Sequence, residues 1–459
     1  MKEKRKRIVS ILTLGCKVNQ YETQAIKEKF ITKGYEVAEN EEFADVYIIN
    51  TCTVTGLSDR KSRQYIRRVK RINPNSITAV IGCYAQVSPK EASSIEGVDI
   101  VAGTNEKNNL VEYIEDYRKR KDLYSQNDSE NNNLGVECHI KPLEALTEYE
   151  DMGIITSMDS KTRAFIKIQE GCNRFCSYCI IPYARGSVRS RPKEEIIKEA
   201  ENLISKGFKE IVLTGINTAL YGTEKSFAKN EDSKISGIEI IIKALSEIPG
   251  DFRIRLSSLE PTVINSQYVK NLLKYKKLCP HLHLSLQSGS DKILKLMNRN
   301  YDRKGYLDIV NVLREYDPGY GITTDIIVGF PAESEDDFMD SVKMVEIVGF
   351  CKVHAFKYSK RQGTKAAEMK GHISPEVKAR RSKILMETAN SISKEFFKKN
   401  IGMKRTVLIE RFDESSGYLE GLSENYIKVY IDGDKNLINS FVKVKISETY
   451  KDGLKGIIE

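Results

Sequence analysis

The stretch EGCNRFCSYCIIPYARGSVRSR (Glu170 to Arg191) places three thiols, Cys172, Cys176 and Cys179, within eight residues, directly after a strand-sized apolar run. Three ligands are one short of the four that structural zinc takes. No fourth lies near: Cys138 and His139 sit across an acidic stretch, and the next cysteine downstream is Cys279. The site is therefore built to stay open. A C-x3-C-x2-C triad just after a strand can hold three irons of a cubane [4Fe–4S] cluster and leave the fourth iron without a protein ligand.

A chain of 459 residues exceeds what one hydrophobic core organises, so two or three domains are expected. Hydrophobic residues at 40% and charged residues at 30% describe an ordinary soluble globular protein. The longest apolar runs, such as Ile326 to Phe330, are too short to span a bilayer, and the basic N-terminus lacks a small-residue cleavage site. A cytoplasmic protein with no membrane partner is expected. Nine cysteines in such a chain point to metal or redox chemistry rather than to disulfides.

The net charge of +9 is concentrated. Arg60 to Arg71 carries +7, Lys161 to Ala200 +5 and Lys352 to Arg381 +7, which leaves the remainder at −10. Each run alone reads equally well as a solvated helix face. Together, in an otherwise acidic chain, they suggest a nucleic-acid partner.

Strand-sized apolar segments alternate with helix-length ones over residues 1–120: Ile8 to Gly15, Asp45 to Asn50, Ile77 to Gly82 and Val98 to Gly103 read as buried parallel strands of a doubly wound α/β domain. Residues 121–160 are polar and turn-rich, with nine acidic against two basic residues, and are expected to be a linker. Alternation resumes over 161–372, where six strand–helix units imply a partial (βα)6 barrel rather than a closed eight-stranded one. A capped helix is expected over 373–401, and a small all-β barrel over 402–459.

Three further cysteines share one local context. Cys16, Cys52 and Cys83 occur in TLGC, IINTC and VIGC, each at the C-terminal end of an expected parallel strand. Those ends line up along one edge of an open α/β sheet, so thiols scattered through the sequence can meet at one metal centre. A buried structural cysteine is the ordinary reading of each alone; the repeated placement reverses it. Cys138, Cys279 and Cys351 lack that context and read as structural.

The C-x3-C-x2-C element at the start of a βα barrel resembles the radical S-adenosylmethionine (SAM) superfamily. The whole chain, through LGCKVNQYE, NTCTVT, GCYAQ, CNRFCSYCIIPYARG, LSSLEP, HLHLSLQSGSDKILKLMNR, TTDIIVGFP and YSKRQGT, resembles the radical SAM methylthiotransferases, with a terminal barrel similar to their TRAM domain. The resemblance implies two [4Fe–4S] clusters: one on Cys172, Cys176 and Cys179 that binds and cleaves SAM, and one on Cys16, Cys52 and Cys83 that carries the sulfur to be inserted. It implies two uses of SAM, as methyl donor and as source of a 5′-deoxyadenosyl radical, in replacing C–H by C–S–CH3. It also places Tyr178 beside the adenine. The strand-end residues Glu260 and Gln287 are candidates to hold SAM, with strand-end capping as the alternative. His281 and His283 read as core or rim residues, and Arg361 as a candidate bridge to the sulfur-carrying domain or to RNA.

Family targets are isopentenyl-modified or threonylcarbamoyl-modified adenosine in tRNA, or an aspartate of ribosomal protein S12. The basic runs favour RNA, although residues 402–459 carry nine basic and ten acidic groups and would contact it through local clusters such as Lys443 and Lys445. NRFCSYCIIPYARG and HLHLSLQSGSD look most like the threonylcarbamoyladenosine subfamily, which acts at adenosine 37 in the anticodon stem-loop. The implied partners are that tRNA, an electron donor and a sulfur donor. A non-catalytic RNA-binding iron–sulfur protein is the alternative of a different class.

Overall fold

A computed structural model describes residues 5–38, 42–53, 56–126, 134–158, 160, 162–225, 227 and 237–459. They form two compact units. The first holds residues 1–156 with 169–174 and 179–191; the second holds 157–168, 175–178 and 192–459.

The first unit is built on six parallel strands, β1 (Ile8–Thr13), β2 (Glu36–Ala38), β3 (Val46–Thr51), β4 (Ile77–Gly82), β5 (Ile100–Ala102) and β6 (Glu137–His139), in the order β2-β1-β3-β4-β5-β6. β3 (VYIINT) and β4 (ITAVIG) are buried at every position, as β-branched strands covered on both faces must be. Between strands lie α1 (Lys17–Thr32), α2 (Gly56–Ile72) and α3 (Cys83–Val87), among other helices. Tyr65, Ile66 and Val69 of α2 pack with Tyr47, Ile49 and Val80 of the sheet, while Arg63, Arg67, Arg68 and Arg71 face outward.

The stretch 121–160 is not a plain linker. A helix runs from Leu110 to Gln126, and Glu137–His139 pairs with β5 as the last strand of the sheet. Its polar composition hides it because an edge strand of three residues buries little side-chain surface; β2, at the opposite edge, is equally short and was equally unexpected.

In the second unit, Arg163–Lys167, Glu210–Thr214 and Arg253–Leu256 form one parallel sheet, and Ser258–Leu259, His281–Leu284, Gly321–Val328 and Lys352–Lys357 form another. Arg253–Leu256 and Ser258–Leu259 are one strand interrupted at Ser257, and Ile254 bridges in parallel to Leu278 just before His281–Leu284, giving a partial barrel of six strand–helix units. Ser374 caps the helix Pro375–Lys398 by accepting from the Val377 amide, with proline in the first turn. The last five strands close into a small barrel with alternating burial, so Lys443 and Lys445 point outward beside buried Val442, Val444 and Ile446.

A buried ionic clasp holds this small barrel to the strands before it. Glu210 accepts from Arg253 Nε at 2.6 Å and Arg255 Nε at 2.8 Å, and the guanidinium groups donate onward to the carbonyls of Leu422 (2.9 Å) and Glu424 (3.1 Å). Burial works against the Glu210 carboxylate, but the two arginines hold it well below the usual range.

The basic runs are not uniformly surface features. Arg185, Arg189, Arg191 and Arg381 are buried, and Arg381 donates to Glu333 at 2.6 Å. The outer face of α2 remains an exposed cationic surface.

Candidate metal centres and cofactor site

The strand order of the first unit reverses between β1 and β3, and a crevice opens at the carboxyl ends of strands at such a point. Cys16 follows β1, Cys52 follows β3 and Cys83 follows β4, so the three thiols occupy three adjacent strand ends. Cys16 caps α1 and Cys83 opens α3. A Cβ on Gly15 (φ +112°) would stand 2.6 Å from Cys52 Cβ, and one on Gly82 (φ +97°) would stand 2.7 Å from the Thr51 carbonyl oxygen. Glycine before Cys16 and before Cys83 is thus what lets these strand ends approach the one that carries Thr51 and Cys52.

Asn19 stitches these ends together. Its side-chain amide donates to the carbonyls of Leu14 (2.7 Å) and Thr51 (2.9 Å), and its side-chain oxygen accepts from Arg185 at 2.9 Å. Burial pushes the Cys16 thiol up, against the lowering effect of Arg185 and of the Asn19 backbone amide. Part of Cys16 is nevertheless open to solvent, while Cys52 and Cys83 are buried. Among the described residues no three Cys, His, Asp or Glu side chains converge on a single-ion site. A cubane asks for a different arrangement, because its thiolates bind separate iron corners and stand apart. Thiols at neighbouring strand ends beside a buried cation fit that donor set.

The C-x3-C-x2-C loop is shared between the compact units. Cys172 and Cys179 count with the first and Cys176 with the second. In the first unit, Cys172 donates its amide to the Gly186 carbonyl at 3.0 Å, and Glu170 pairs with Arg189 both in a two-stranded hairpin and through a 3.1 Å ion pair. In the second, the Ser177 amide and hydroxyl donate to the carbonyls of Met297 (3.0 Å) and Leu296 (2.8 Å), while Asn298 Nδ2 donates to the Phe175 carbonyl at 3.1 Å.

Tyr178 and Glu260, candidates on sequence, meet through a residue the sequence reading missed. Arg299 Nη2 donates to the Tyr178 hydroxyl at 2.6 Å, and Arg299 Nη1 pairs with Glu260 Oε1 at 2.9 Å. Asn217 Nδ2 donates to the other Glu260 oxygen at 2.7 Å. Burial opposes the Arg299 charge, but Tyr178, Tyr301, Cys176 and Glu260 raise its pKa well above the ordinary value. Tyr301 donates to the carbonyls of Ser285 (2.9 Å) and Leu286 (2.8 Å), immediately before Gln287. Gln287 holds a left-handed backbone (φ 63°), an unfavourable conformation for glutamine that concentrates at functional sites. The only signal for Arg299 in the sequence is its place in LKLMNR, after a helix.

His281 and His283 both bond the Thr323 hydroxyl, at 3.1 and 2.9 Å, and His281 stacks on Tyr426. Arg361 lies half-buried in a turn whose carbonyl accepts from the Thr364 amide (3.2 Å) and hydroxyl (2.7 Å). Cys279 and Cys351 are buried, and burial pushes both thiols up, to about 11 and about 12. Cys138 is exposed on β6.

Residues 8–103 match the Uncharacterized protein family UPF0004, residues 166–345 the Radical SAM superfamily and residues 398–458 the TRAM domain. The threonylcarbamoyladenosine tRNA methylthiotransferase MtaB of Bacillus subtilis (strain 168) is 41% identical over 442 residues, 95% of this chain and 93% of that protein. The tRNA-2-methylthio-N(6)-dimethylallyladenosine synthase of Clostridium perfringens (strain SM101 / Type A) is 34% identical, covering 99% of this chain and 98% of that one. Among solved structures, the radical SAM methyltransferase TsrM from Kitasatospora setae shares the fold, with a TM-score of 0.55 at 14% identity over 79% of this chain and 77% of that one. Likeness of this extent along nearly the whole sequence makes the chain a member of the radical SAM methylthiotransferase family, enzymes that work with SAM and a [4Fe–4S] cluster.

Proposed function

We propose that the chain inserts a methylthio group at C2 of N6-threonylcarbamoyladenosine at position 37 of tRNA. The observation that carries the substrate is the 41% identity, over nearly full length, to a protein named for that nucleoside, against 34% to one named for the dimethylallyl nucleoside. The TRAM match and the exposed arginine face of α2 support an RNA substrate. The anticodon stem-loop is the macromolecular partner, an electron donor and a sulfur donor complete the reaction, and the setting is the cytoplasm.

Cys172, Cys176 and Cys179 hold the SAM-binding cluster, and Cys16, Cys52 and Cys83 hold a second one. When bound, the first supplies the electron that cleaves SAM and the second supplies sulfur. The protein's part is to fix groups in place. Glu260 is held from both sides by Asn217 and Arg299, Tyr178 is held by its hydroxyl, and Gln287 is presented on a constrained turn; these three bind SAM.

Nucleoside analysis of tRNA from a deletion strain tests the substrate. The 2-methylthio form of threonylcarbamoyladenosine should disappear, and the 2-methylthio form of isopentenyladenosine should persist. The reverse pattern would assign the dimethylallyl substrate instead.

A further inference from the structure

Two of the buried cationic side chains of the first unit, Arg185 and Lys107, share one carboxylate. Arg185 and Lys107 are each about 1% exposed, and both bind Glu22, itself fully buried. Arg185 Nη1 and Nη2 donate to the Glu22 carboxylate at 2.8 and 3.1 Å, and the Lys107 ammonium pairs with the same carboxylate. Two basic groups sharing one carboxylate leave a buried positive charge in excess, which is strongly unfavourable without a counter-anion. The remaining partners are neutral: Asn19 Oδ1 accepts from Arg185 at 2.9 Å and Asn50 Oδ1 accepts from Lys107 at 3.1 Å. Arg185 Nε donates to no protein atom among the described residues.

The thiols are what this excess charge meets. Asn19, which holds the guanidinium, also bonds the carbonyls of Leu14 and Thr51, next to Gly15–Cys16 and to Cys52. Burial works against the Arg185 charge, and Glu22 first, then Cys83 and Cys16, hold its pKa well above the ordinary value. An oxidised cubane core carries two positive charges and its three thiolates bring three negative ones, so the site as a whole has a single negative charge. That equals the buried excess in size and is opposite to it in sign.

We propose that Arg185 is a positioning residue for the N-terminal cluster: locked by Glu22 and Asn19, its guanidinium supplies the countercharge that sets that cluster's reduction potential. The proposal rests on the reading of Cys16, Cys52 and Cys83 as cluster ligands. Arg185 lies in the segment Cys179–Arg191, so one short stretch carries both the last thiol of the barrel motif and the countercharge of the other thiol set. A fixed cation close to a cluster favours the added electron, and a carboxylate opposes it.

The test is a redox titration, followed by electron paramagnetic resonance, of full-length reconstituted protein carrying Cys172→Ala, Cys176→Ala and Cys179→Ala, which isolates the N-terminal cluster. In that background Arg185→Gln should shift the midpoint to more negative potential and Arg185→Lys should restore most of it. Glu22→Gln, which frees the guanidinium from its carboxylate, should shift it the other way. Opposite signs distinguish a charge effect from a packing defect, and the Glu22 variant decides the matter even if Arg185→Gln folds poorly. Unchanged potentials, or shifts of the same sign, with iron retained would overturn the role of Arg185. Absence of iron from the background protein itself would instead overturn the assignment of Cys16, Cys52 and Cys83.

Discussion

The two thiol sets are framed by the same device in different hands. Each lies near a buried arginine that is paired with a buried glutamate, Arg185 with Glu22 and Arg299 with Glu260. At the strand-edge set Cys83 and Cys16 are among the groups that hold up the Arg185 charge, and a lysine on the same carboxylate adds a second charge. At the barrel set Arg299 donates to the Tyr178 hydroxyl and pairs with Glu260, and Cys176 is among the groups that raise its pKa. On the proposed assignment, one site would be arranged around a cluster's charge and the other around SAM beside a cluster. Sites that share a cofactor type can thus be tuned for different work by where one buried cation points.

The comparison breaks most readily at the barrel set. Replacing Cys172, Cys176 and Cys179 by alanine should abolish both 5′-deoxyadenosine formation and methylthio product, and iron content should fall to about half of the roughly eight atoms of two cubanes. Retained SAM cleavage would separate that loop from the chemistry.

A smaller effect is expected one step out. Glu260→Gln keeps the shape but weakens charge-assisted bonds to Arg299, so SAM cleavage should fall about tenfold to a hundredfold, mainly through KM. Because Glu260 is not among the thiols proposed to hold iron, the iron content should not change. An equal loss of iron would make Glu260 a structural prop rather than part of the SAM site.

The smallest expected effect is at the RNA. Changing Arg67, Arg68 and Arg71 to alanine should weaken tRNA binding and flatten the slope of log affinity against log salt by roughly two to three units. SAM cleavage without RNA should stay as it was. An unchanged slope would move the RNA path to the exposed lysines of the 352–370 stretch.

Legibility in the sequence followed the length of the contacts. The barrel thiols could be proposed as one set because their spacing is local. Cys16, Cys52 and Cys83 could be proposed as a second set only because a parallel sheet brings the ends of neighbouring strands to one edge. The switch point between β1 and β3, which explains why that edge is a crevice, required the strand order, and β2 and β6 were too short to announce themselves. Arg185 and Arg299 were invisible for a simpler reason. Their partners lie 163 and 121 positions away, and Arg185 sits inside a basic run, which reads as surface until its burial is seen.

The division of labour between the two sets stands or falls on the protein carrying Cys16→Ala, Cys52→Ala and Cys83→Ala, assayed with SAM, reductant and unmodified-at-C2 tRNA while both 5′-deoxyadenosine and methylthio nucleoside are measured. That variant should keep about half the iron and still form 5′-deoxyadenosine, because the barrel thiols are intact, yet yield no methylthio nucleoside. Methylthio product from it, or full iron content, would contradict the assignment of sulfur delivery to the strand-edge thiols.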